Sequence, residues 1–272
     1  MHQALKDLLA RAGGERIVVL TGAGVSAASG VPTFRGEEGY WTVGSQHYHP
    51  TELATNQAFS QMPDDVWSWY LYRRGVCRQA EPNSAHLACV ALEQALGDRF
   101  LLVTQNVDGL HLRAGNSLER TYQVHGNIDF MRCWNDCTPG FVPIPEGVPF
   151  KQRGESLDDH DRRLLVCPKC GGLARPHVLW FDECYDEAHF RFHSSLEATL
   201  TCGALVVAGS SGATNLPMQM AVMVSGRGGV MIDINPEANP FARMAEACGG
   251  LWLRTDAVDG LSQVAECFSA IA

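Results

Sequence analysis

The sequence predicts an α/β fold in which a doubly wound, Rossmann-like parallel sheet carries one small inserted module. Three observations predict it. Short apolar runs rich in β-branched residues alternate with helical stretches, each run ends in small or polar residues, and one cysteine-containing segment breaks the alternation.

Taken in order, residues 1–12 set Leu5, Leu8 and Leu9 at helical spacing among charges. They predict a short amphipathic helix and lack the long apolar stretch of a secretory signal or a membrane span. Buried parallel strands are expected over 16–21, 100–104, 204–208, 228–234 and 250–254. These runs end in Gly22-Ala23-Gly24, Gln105-Asn106-Val107-Asp108, Gly209-Ser210-Ser211, Asn235-Pro236-Glu237 and Thr255-Asp256, where an open α/β sheet places its ligand-binding groups. Helices are expected over 64–78 and 85–96, and a short apolar strand over 121–124. Residues 32–63 read as an aromatic, loop-like insertion. The stretch 127–175 holds paired cysteines, several prolines and a polar run without periodicity, which predicts a small module. The resulting division is a Rossmann-like domain of residues 1–31, 81–128 and 176–272, a loop and helical insertion over 32–80, and the module over 129–175.

With 272 residues, 46% of them hydrophobic, the chain can build a sizeable core. A formal charge of −9 argues against gripping nucleic acid or an anionic membrane through bulk electrostatics, because both reward a basic face. Ten cysteines in a chain of this size, without a signal and with four of them in two close pairs, fit reduced thiols and a metal site in a cytoplasmic protein better than disulfides.

Three motifs carry chemistry. Gly22-Ala23-Gly24-Val25-Ser26-Ala27 satisfies G-x-G-x-x-[GA] directly after a strand, the arrangement that brings backbone N–H groups to a pyrophosphate at a helix start. The acidic residue expected about twenty positions on is replaced by Thr33-Phe34-Arg35-Gly36, which weakens a hydride-transferring dehydrogenase. Cys133 and Cys137, then Cys167 and Cys170 after twenty-nine intervening residues, have the spacing of a closed, structural four-thiolate zinc site. Three rather than two residues separate the first pair, which loosens that knuckle. His125, between the short strand and Gly126-Asn127, is a candidate base because imidazole titrates near neutrality; His111 competes for the role.

The stretches GAGVSAASGVPTFRG (22–36), TQNVDGLH (104–111), VHGN (124–127), the cysteine pairs, RPHVLWFDE (175–183), GSS (209–211) and INPE (234–237) occur in that order, and together they resemble a sirtuin over nearly the whole chain. The resemblance implies an NAD-dependent protein-lysine deacylase holding one zinc. It implies that His125 is the general base and Asn106 a second catalytic residue. Gly22, Ala23, Gly24 and Ala27, with Phe34, Arg35 and Trp41, would line the cofactor, with Phe34 and Arg35 on a loop over the reacting ribose. Gln105, Asn106 and Asp108 would hold the nicotinamide end, and Gly209, Ser210, Ser211, Asn235, Glu237 and Ala257 the phosphates and adenosine half. Val178, Trp180 and Phe181 would meet the substrate peptide by strand addition. The family's products are free lysine, nicotinamide and O-acyl-ADP-ribose.

Tyr70 and Arg73, three apart and so on one helical face, resemble the Y-x-x-R pair with which class III sirtuins bind the distal carboxylate of succinyl-, malonyl- or glutaryl-lysine. Ala54 would leave room for the longer chain, and Thr33 also follows the class III pattern. Two departures stand out: Asp182 replaces the usual glycine after Phe181, where its carboxylate would disfavour acidic peptides, and Asn215-Leu216-Pro217 replaces a more apolar run. The readings left open are a plain deacetylase and an NAD glycohydrolase or ADP-ribosyl transferase. The expected partners are acyl-lysine proteins or peptides, without nucleic acid or membrane, for a monomer.

Overall fold

Val18, Val19, Val103, Val206, Val207, Ile232 and Ile234 are β-branched, stiff at χ1, and favour extended backbone wherever both faces of a strand can be covered. That condition is met here. The computed structural model describes residues 2–32 and 50–269. The chain runs from α1 (His2–Ala10) into β1 (Ile17–Thr21), and beyond residue 49 continues with α2 (Pro50–Leu53), α3 (Asn56–Gln61), α4 (Pro63–Gln79), α5 (Ser84–Leu96), β2 (Phe100–Thr104), α6 (Leu110–Ala114) and β3 (Thr121–Gln123). It then forms β4 (Gly126–Cys133), β5 (Phe141–Pro143), α7 (Asp159–Leu164) and β6 (Ala174–Val178). The return comprises α8 (Glu187–Phe190), α9 (Phe192–Thr201), β7 (Ala204–Ala208), α10 (Asn215–Gly226), β8 (Val230–Ile234), α11 (Pro240–Ala247), β9 (Leu251–Leu253) and α12 (Ala257–Ser269).

The main sheet is six-stranded and parallel, in the order β3-β2-β1-β7-β8-β9. Ile17 is in register with Phe100 on one side and Ala204 on the other. The five expected strands are all present, and the short run before His125 supplies the sixth. Alternate residues feed opposite layers. Ile17, Val19, Leu102, Val206 and Ile232 pack under α1, α5 and α12, while Val18, Leu20, Val103, Val207 and Met231 pack against α9, α10 and α11. The chain starts at β1, winds outward to β3, then returns to β7 and winds the other way. The crossovers therefore reverse between β1 and β7, and their carboxyl ends open the crevice in which such sheets bind ligands.

A second, three-stranded antiparallel sheet, β5-β4-β6, grows from the edge of this layer. Its apolar face shares one core with α2, α3 and α4, through Leu53, Phe59, Trp67, Leu71, Ile128, Met131 and Trp180. Trp67 Nε1 donates to the Ala174 carbonyl at 2.9 Å, and the Arg74 and Arg78 guanidiniums both donate to Asp129 Oδ1, at 3.0 and 2.8 Å. The stretch expected to be loop-like up to residue 63 thus contains two short helices. Thr55 caps the second, accepting from Ala58 N at 3.0 Å, a local signal of the S/T-x-x type. No helix among the described residues is long and apolar enough to cross a membrane.

Candidate active site

The site is built where the strand ends meet. After β1 the backbone does not enter an α-helix, as the glycine pattern suggested, but two successive 3-10 turns, Ala23–Val25 and Ala27–Ser29. The reason is a close approach between chains. A Cβ on Gly22 would lie 2.7 Å from the Gly209 carbonyl oxygen, one on Gly24 2.7 Å from Gly209 Cα, and one on Gly209, whose φ is +61°, 2.6 Å from Val25 N. Gly24 N–H donates to Gly209 O at 2.9 Å, locking the two turns together.

The segment following β2 supplies the polar groups. Gln105 Nε2 donates to Ser210 Oγ at 2.8 Å while its Oε1 accepts from Thr214 Oγ1 at 2.7 Å, so the amide bridges β2 to the β7 loop in one orientation. Asn106 Nδ2 donates to the Gly22 carbonyl and to Ser26 Oγ, both at 3.1 Å. Ser26 Oγ in turn donates to Asp108 Oδ2 at 2.7 Å, and Leu110 N–H donates to Asp108 Oδ1 at 2.9 Å. Burial raises the Asp108 carboxyl above the ordinary carboxylate range, against the pull of those donors.

Two residues of this network have no place in the sequence reading, Ser26 as a hydrogen-bonding hub and His86. Asn83 N–H donates to His86 Nδ1 in the capping box of α5, which leaves the proton on Nε2, facing Ser26 Oγ at 3.4 Å. The N-cap asparagine three residues before a histidine is the only sequence signal for it.

The competition between the two histidines is decided by burial. His111 is 3% exposed, with Nε2 3.1 Å from Thr21 Oγ1 and its ring 4.8 Å from that of His86, and its pKa falls well below the ordinary imidazole value through burial first and His86 second. It is a core residue. His125 is partly exposed at the carboxyl edge. Its Nδ1 lies 2.9 Å from the Gln105 carbonyl oxygen, which can only accept, so Nδ1 carries the proton and Nε2 carries the lone pair. Nε2 accepts from the Tyr185 hydroxyl at 2.7 Å. Burial lowers its pKa to about 4, against a smaller upward pull from the Gln105 carbonyl, so the ring is a neutral base at physiological pH.

Farther along the edge, Asn235 Nδ2 and Asn239 Nδ2 each donate to Asp233 at 2.8 Å, and burial raises that carboxyl to about 6. Glu237, Ser211 and Ala27 are exposed, Ala23 and Gly24 half-buried, and Ala257 is buried at the start of α12. Phe34, Arg35 and Trp41, with Thr33, lie outside the described residues. Leu216 and Pro217 of the divergent run are buried in the core of α10.

On the other wall, the N–H groups of Leu179, Trp180 and Phe181 donate to His125 O (2.9 Å), Glu183 Oε2 (2.9 Å) and Ala54 O (3.0 Å). Glu183 is ion-paired to Arg175, whose guanidinium stacks 3.4 Å above the Trp180 ring. Trp180 is therefore buried behind this segment, and Phe181, 52% exposed, is the aromatic that faces out. Val178 and Ala54 are buried beside it. The Asp182 carboxylate is engaged: it accepts from Asn56 N at 2.7 Å and Gln57 N at 3.1 Å, holding the first turn of α3. Tyr70 and Arg73 are each 2% exposed on α4, and Tyr70 Oη accepts from Trp180 Nε1 at 2.9 Å.

The four paired cysteines converge. Their sulfur atoms all lie within 4.8 Å of one another, with Cys133 to Cys170 at 3.7 Å and Cys137 to Cys167 at 3.5 Å. Four thiolates about 2.3 Å from one tetrahedral ion stand roughly 3.8 Å apart, so the residues fit a structural zinc. The N–H groups of Cys170 and Lys169 hold the Cys167 thiol down at about 6, ready as a thiolate ligand.

Buried imidazoles also set an acid limit. His86 and His125 fall to about 4 and His177 to about 3, all chiefly through burial, and His111 falls in the same direction, from an ordinary 6.5. Unfolding lets each bind a proton, so their stabilisation is complete above 6.5 and is lost as the pH falls toward 4. Asp108 and Asp233 act with the opposite sign, but two carboxyls oppose four imidazoles. Thermal unfolding followed across pH 4–7 should therefore show the midpoint falling steadily below about 6.5, as several kcal/mol of unfolding free energy are lost. A midpoint unchanged down to about pH 4 would contradict the neutral burial of these rings.

Residues 22–215 match the Sir2 family. A protein of Leptospira interrogans named NAD-dependent protein deacylase is 38% identical over 229 residues, 84% of each chain. Among solved structures, a Sir2 homologue in complex with NAD is similar with a TM-score of 0.78 at 32% identity, covering 100% of this chain and 94% of that one. A Sir2 homologue mutant in complex with 2′-O-acetyl ADP ribose gives 0.75 at 33% identity, covering 98% and 96%. With the fold, the strand-end network, the four-cysteine cluster and these likenesses in agreement, the chain belongs to the Sir2 family.

Proposed function

We propose that the protein is an NAD-dependent protein-lysine deacylase whose preferred acyl groups are acidic, succinyl or malonyl, with acetyl also accepted. The observation that carries this reading is His125, a neutral imidazole at the carboxyl edge of the sheet, its Nδ1 held by the Gln105 carbonyl and its Nε2 carrying the lone pair. NAD supplies an activated glycosidic bond to nicotinamide and a ribose that departs carrying the acyl group. Gly22, Ala23, Gly24 and Ala27, with Gly209, Ser210 and Ser211, would line its diphosphate, and Asn235, Glu237 and Ala257 would flank the adenosine half; the roles expected of Phe34, Arg35 and Trp41 fall outside the described residues. Gln105, Asn106 and Asp108, each held by internal hydrogen bonds, present a preorganised polar face to the nicotinamide ribose. His125 Nε2 takes the proton of a ribose hydroxyl, and the Gln105 carbonyl steadies the imidazolium through Nδ1–H. The relative named as a deacylase and the neighbour bound to 2′-O-acetyl ADP ribose support lysine, nicotinamide and O-acyl-ADP-ribose as products.

The substrate peptide lies along 178–181 with Phe181 against it. Tyr70 and Arg73 sit one helical turn apart on α4, both buried, and Tyr70 is tied to Trp180 by a hydrogen bond. A guanidinium fork at that depth meets a carboxylate with two hydrogen bonds, which a neutral acetyl group cannot reciprocate. The protein acts as a monomer in the cytoplasm, a compartment that suits cysteines held as thiols and zinc ligands, and its charge of −9 disfavours nucleic acid and membrane.

The decisive experiment supplies NAD with acetyl- or succinyl-peptide and follows O-acyl-ADP-ribose by mass spectrometry. Arg73→Met is expected to lower succinyl turnover about tenfold to a hundredfold, the loss of one charge-assisted hydrogen-bonded pair, with acetyl turnover changed less than about threefold. Equal losses on both substrates would leave a plain deacetylase. Nicotinamide release at full rate without peptide would make the protein a glycohydrolase instead.

A further inference from the structure

The bond between His125 Nε2 and the Tyr185 hydroxyl belongs to none of the sequence motifs, yet it occupies the atom on which the proposed reaction depends. Tyr185 is fixed from several sides. Its ring stacks on Phe192 at 5.9 Å and 23°, and it packs with Phe192 and Leu196 of α9 against the core. The residues flanking it are held as well: Glu183 by Arg175 and by Trp180 N–H, and Asp186 by capping α8 through His189 N at 2.6 Å. The hydroxyl is thus aimed at the imidazole by the fold, and the two rings lie 5.8 Å apart.

Because Nδ1 is a donor to the Gln105 carbonyl, Nε2 has only a lone pair to offer, and the tyrosine must donate. Burial raises the Tyr185 phenol above its ordinary value, so it remains an O–H donor at any working pH. Among the described residues Tyr185 is the titratable group in hydrogen-bond contact with His125, whose low pKa is set by burial against the pull of the Gln105 carbonyl.

Resting on the assignment of His125 as the base, we infer that Tyr185 is a positioning residue that holds the vacant place of the ribose hydroxyl: it donates to Nε2 in the free protein and gives up that position when the dinucleotide binds. One lone pair accepts one strong hydrogen bond, so the incoming hydroxyl must replace the tyrosine O–H, and the phenol oxygen must swing off the lone-pair axis by a small rotation of its ring against Phe192. When the site empties with Nε2 still protonated, the returning tyrosine oxygen can accept from the new N–H. The free protein therefore keeps its base oriented and neutral at a cost in dinucleotide affinity.

Tyr185→Phe keeps the ring and removes only the hydroxyl. With the donor gone, the neutral imidazole loses a partner and its proton affinity rises. The acid limb of kcat/KM, which reports the free enzyme, is expected to move up by about one pH unit, a tenfold change in proton affinity. The acid limb of kcat, which reports the complex in which the tyrosine has already been displaced, should stay in place, and the dissociation constant for NAD should fall severalfold. Placing 3-fluorotyrosine at position 185 strengthens the donor without altering the fold and should move the free-enzyme limb the opposite way. An NMR titration of the His125 ring in the free protein reads the same shift without requiring catalysis, so loss of deacylase activity in the parent protein would count against the function and not against this contact. Unmoved free-enzyme limb and ring titration in both variants, or equal movement of the kcat limb, would overturn the inference.

Discussion

His125→Ala is expected to cut kcat/KM for deacylation at neutral pH by about 10²–10⁴-fold, the usual contribution of a positioned general base. The fold should tolerate the change, because the ring gives up two hydrogen bonds, to the Gln105 carbonyl and the Tyr185 hydroxyl, and it sits at the rim of the sheet and not within a core cluster. The pH dependence gives the same expectation a second reading. In the free parent protein the imidazole titrates near 4, so kcat/KM should hold its plateau down to about pH 5 and fall below that as Nε2 is protonated. The variant has no such group and should show no limb there. Circular dichroism matching the parent, with O-acyl-ADP-ribose formation reduced by that factor, is the expected pair of results. Parental turnover from His125→Ala would remove the chemistry assigned to the whole strand-end network.

Loss of zinc should be as severe for the second sheet. A structural four-thiolate zinc site contributes folding free energy outright, with apparent binding free energies of about 10–16 kcal/mol in small zinc domains. Here it ties the end of β4 at Cys133 to the turn at Cys167 and Cys170 that leads into β6, in a sheet whose third strand has only three residues. Trp134, next to Cys133, packs on Phe59 at 4.8 Å and faces Trp180 at 6.4 Å, so disorder at the metal site reaches α3 and the segment proposed to meet the peptide directly. Chelation, or Cys167→Ser, is expected to change tryptophan fluorescence and near-ultraviolet circular dichroism, to lower the melting temperature, and to raise KM for the peptide. NAD affinity should be retained, since the crevice between β1 and β7 belongs to the parallel sheet. A chelated protein with no bound zinc and an unchanged near-ultraviolet spectrum would show that the cysteines serve another purpose.

The main sheet was legible because its four inner strands, β1, β2, β7 and β8, are buried on both faces, and such strands leave unbroken apolar runs that end at the ligand edge. The zinc cluster was legible because its ligands come in close pairs. Other features arise from contacts between residues far apart in the chain, which leave no periodic trace. The 3-10 turns after Gly22 replace the expected helix because Gly209 presses against them. Ser26 and His86 join across sixty positions, and Tyr185 reaches His125 across the same distance. The choice between His111 and His125 depended on depth, which a sequence of alternating small and apolar residues does not encode. Asp182, an oddity in the substrate motif, became intelligible only once the first turn of α3 was seen to end on its carboxylate.

The meeting of Gly22, Gly24 and Gly209 has one further consequence. Where two turns touch through bare α-carbons, with the Gly22, Gly24 and Gly209 amides spent on neighbouring carbonyls, the bottom of the nucleotide crevice has nothing that a point mutation can reshape without prising the turns apart. Adaptation to another nucleotide would have to begin at the rim, with exposed positions such as Ser211 and Glu237, while the bottom stays fixed in both shape and chemistry.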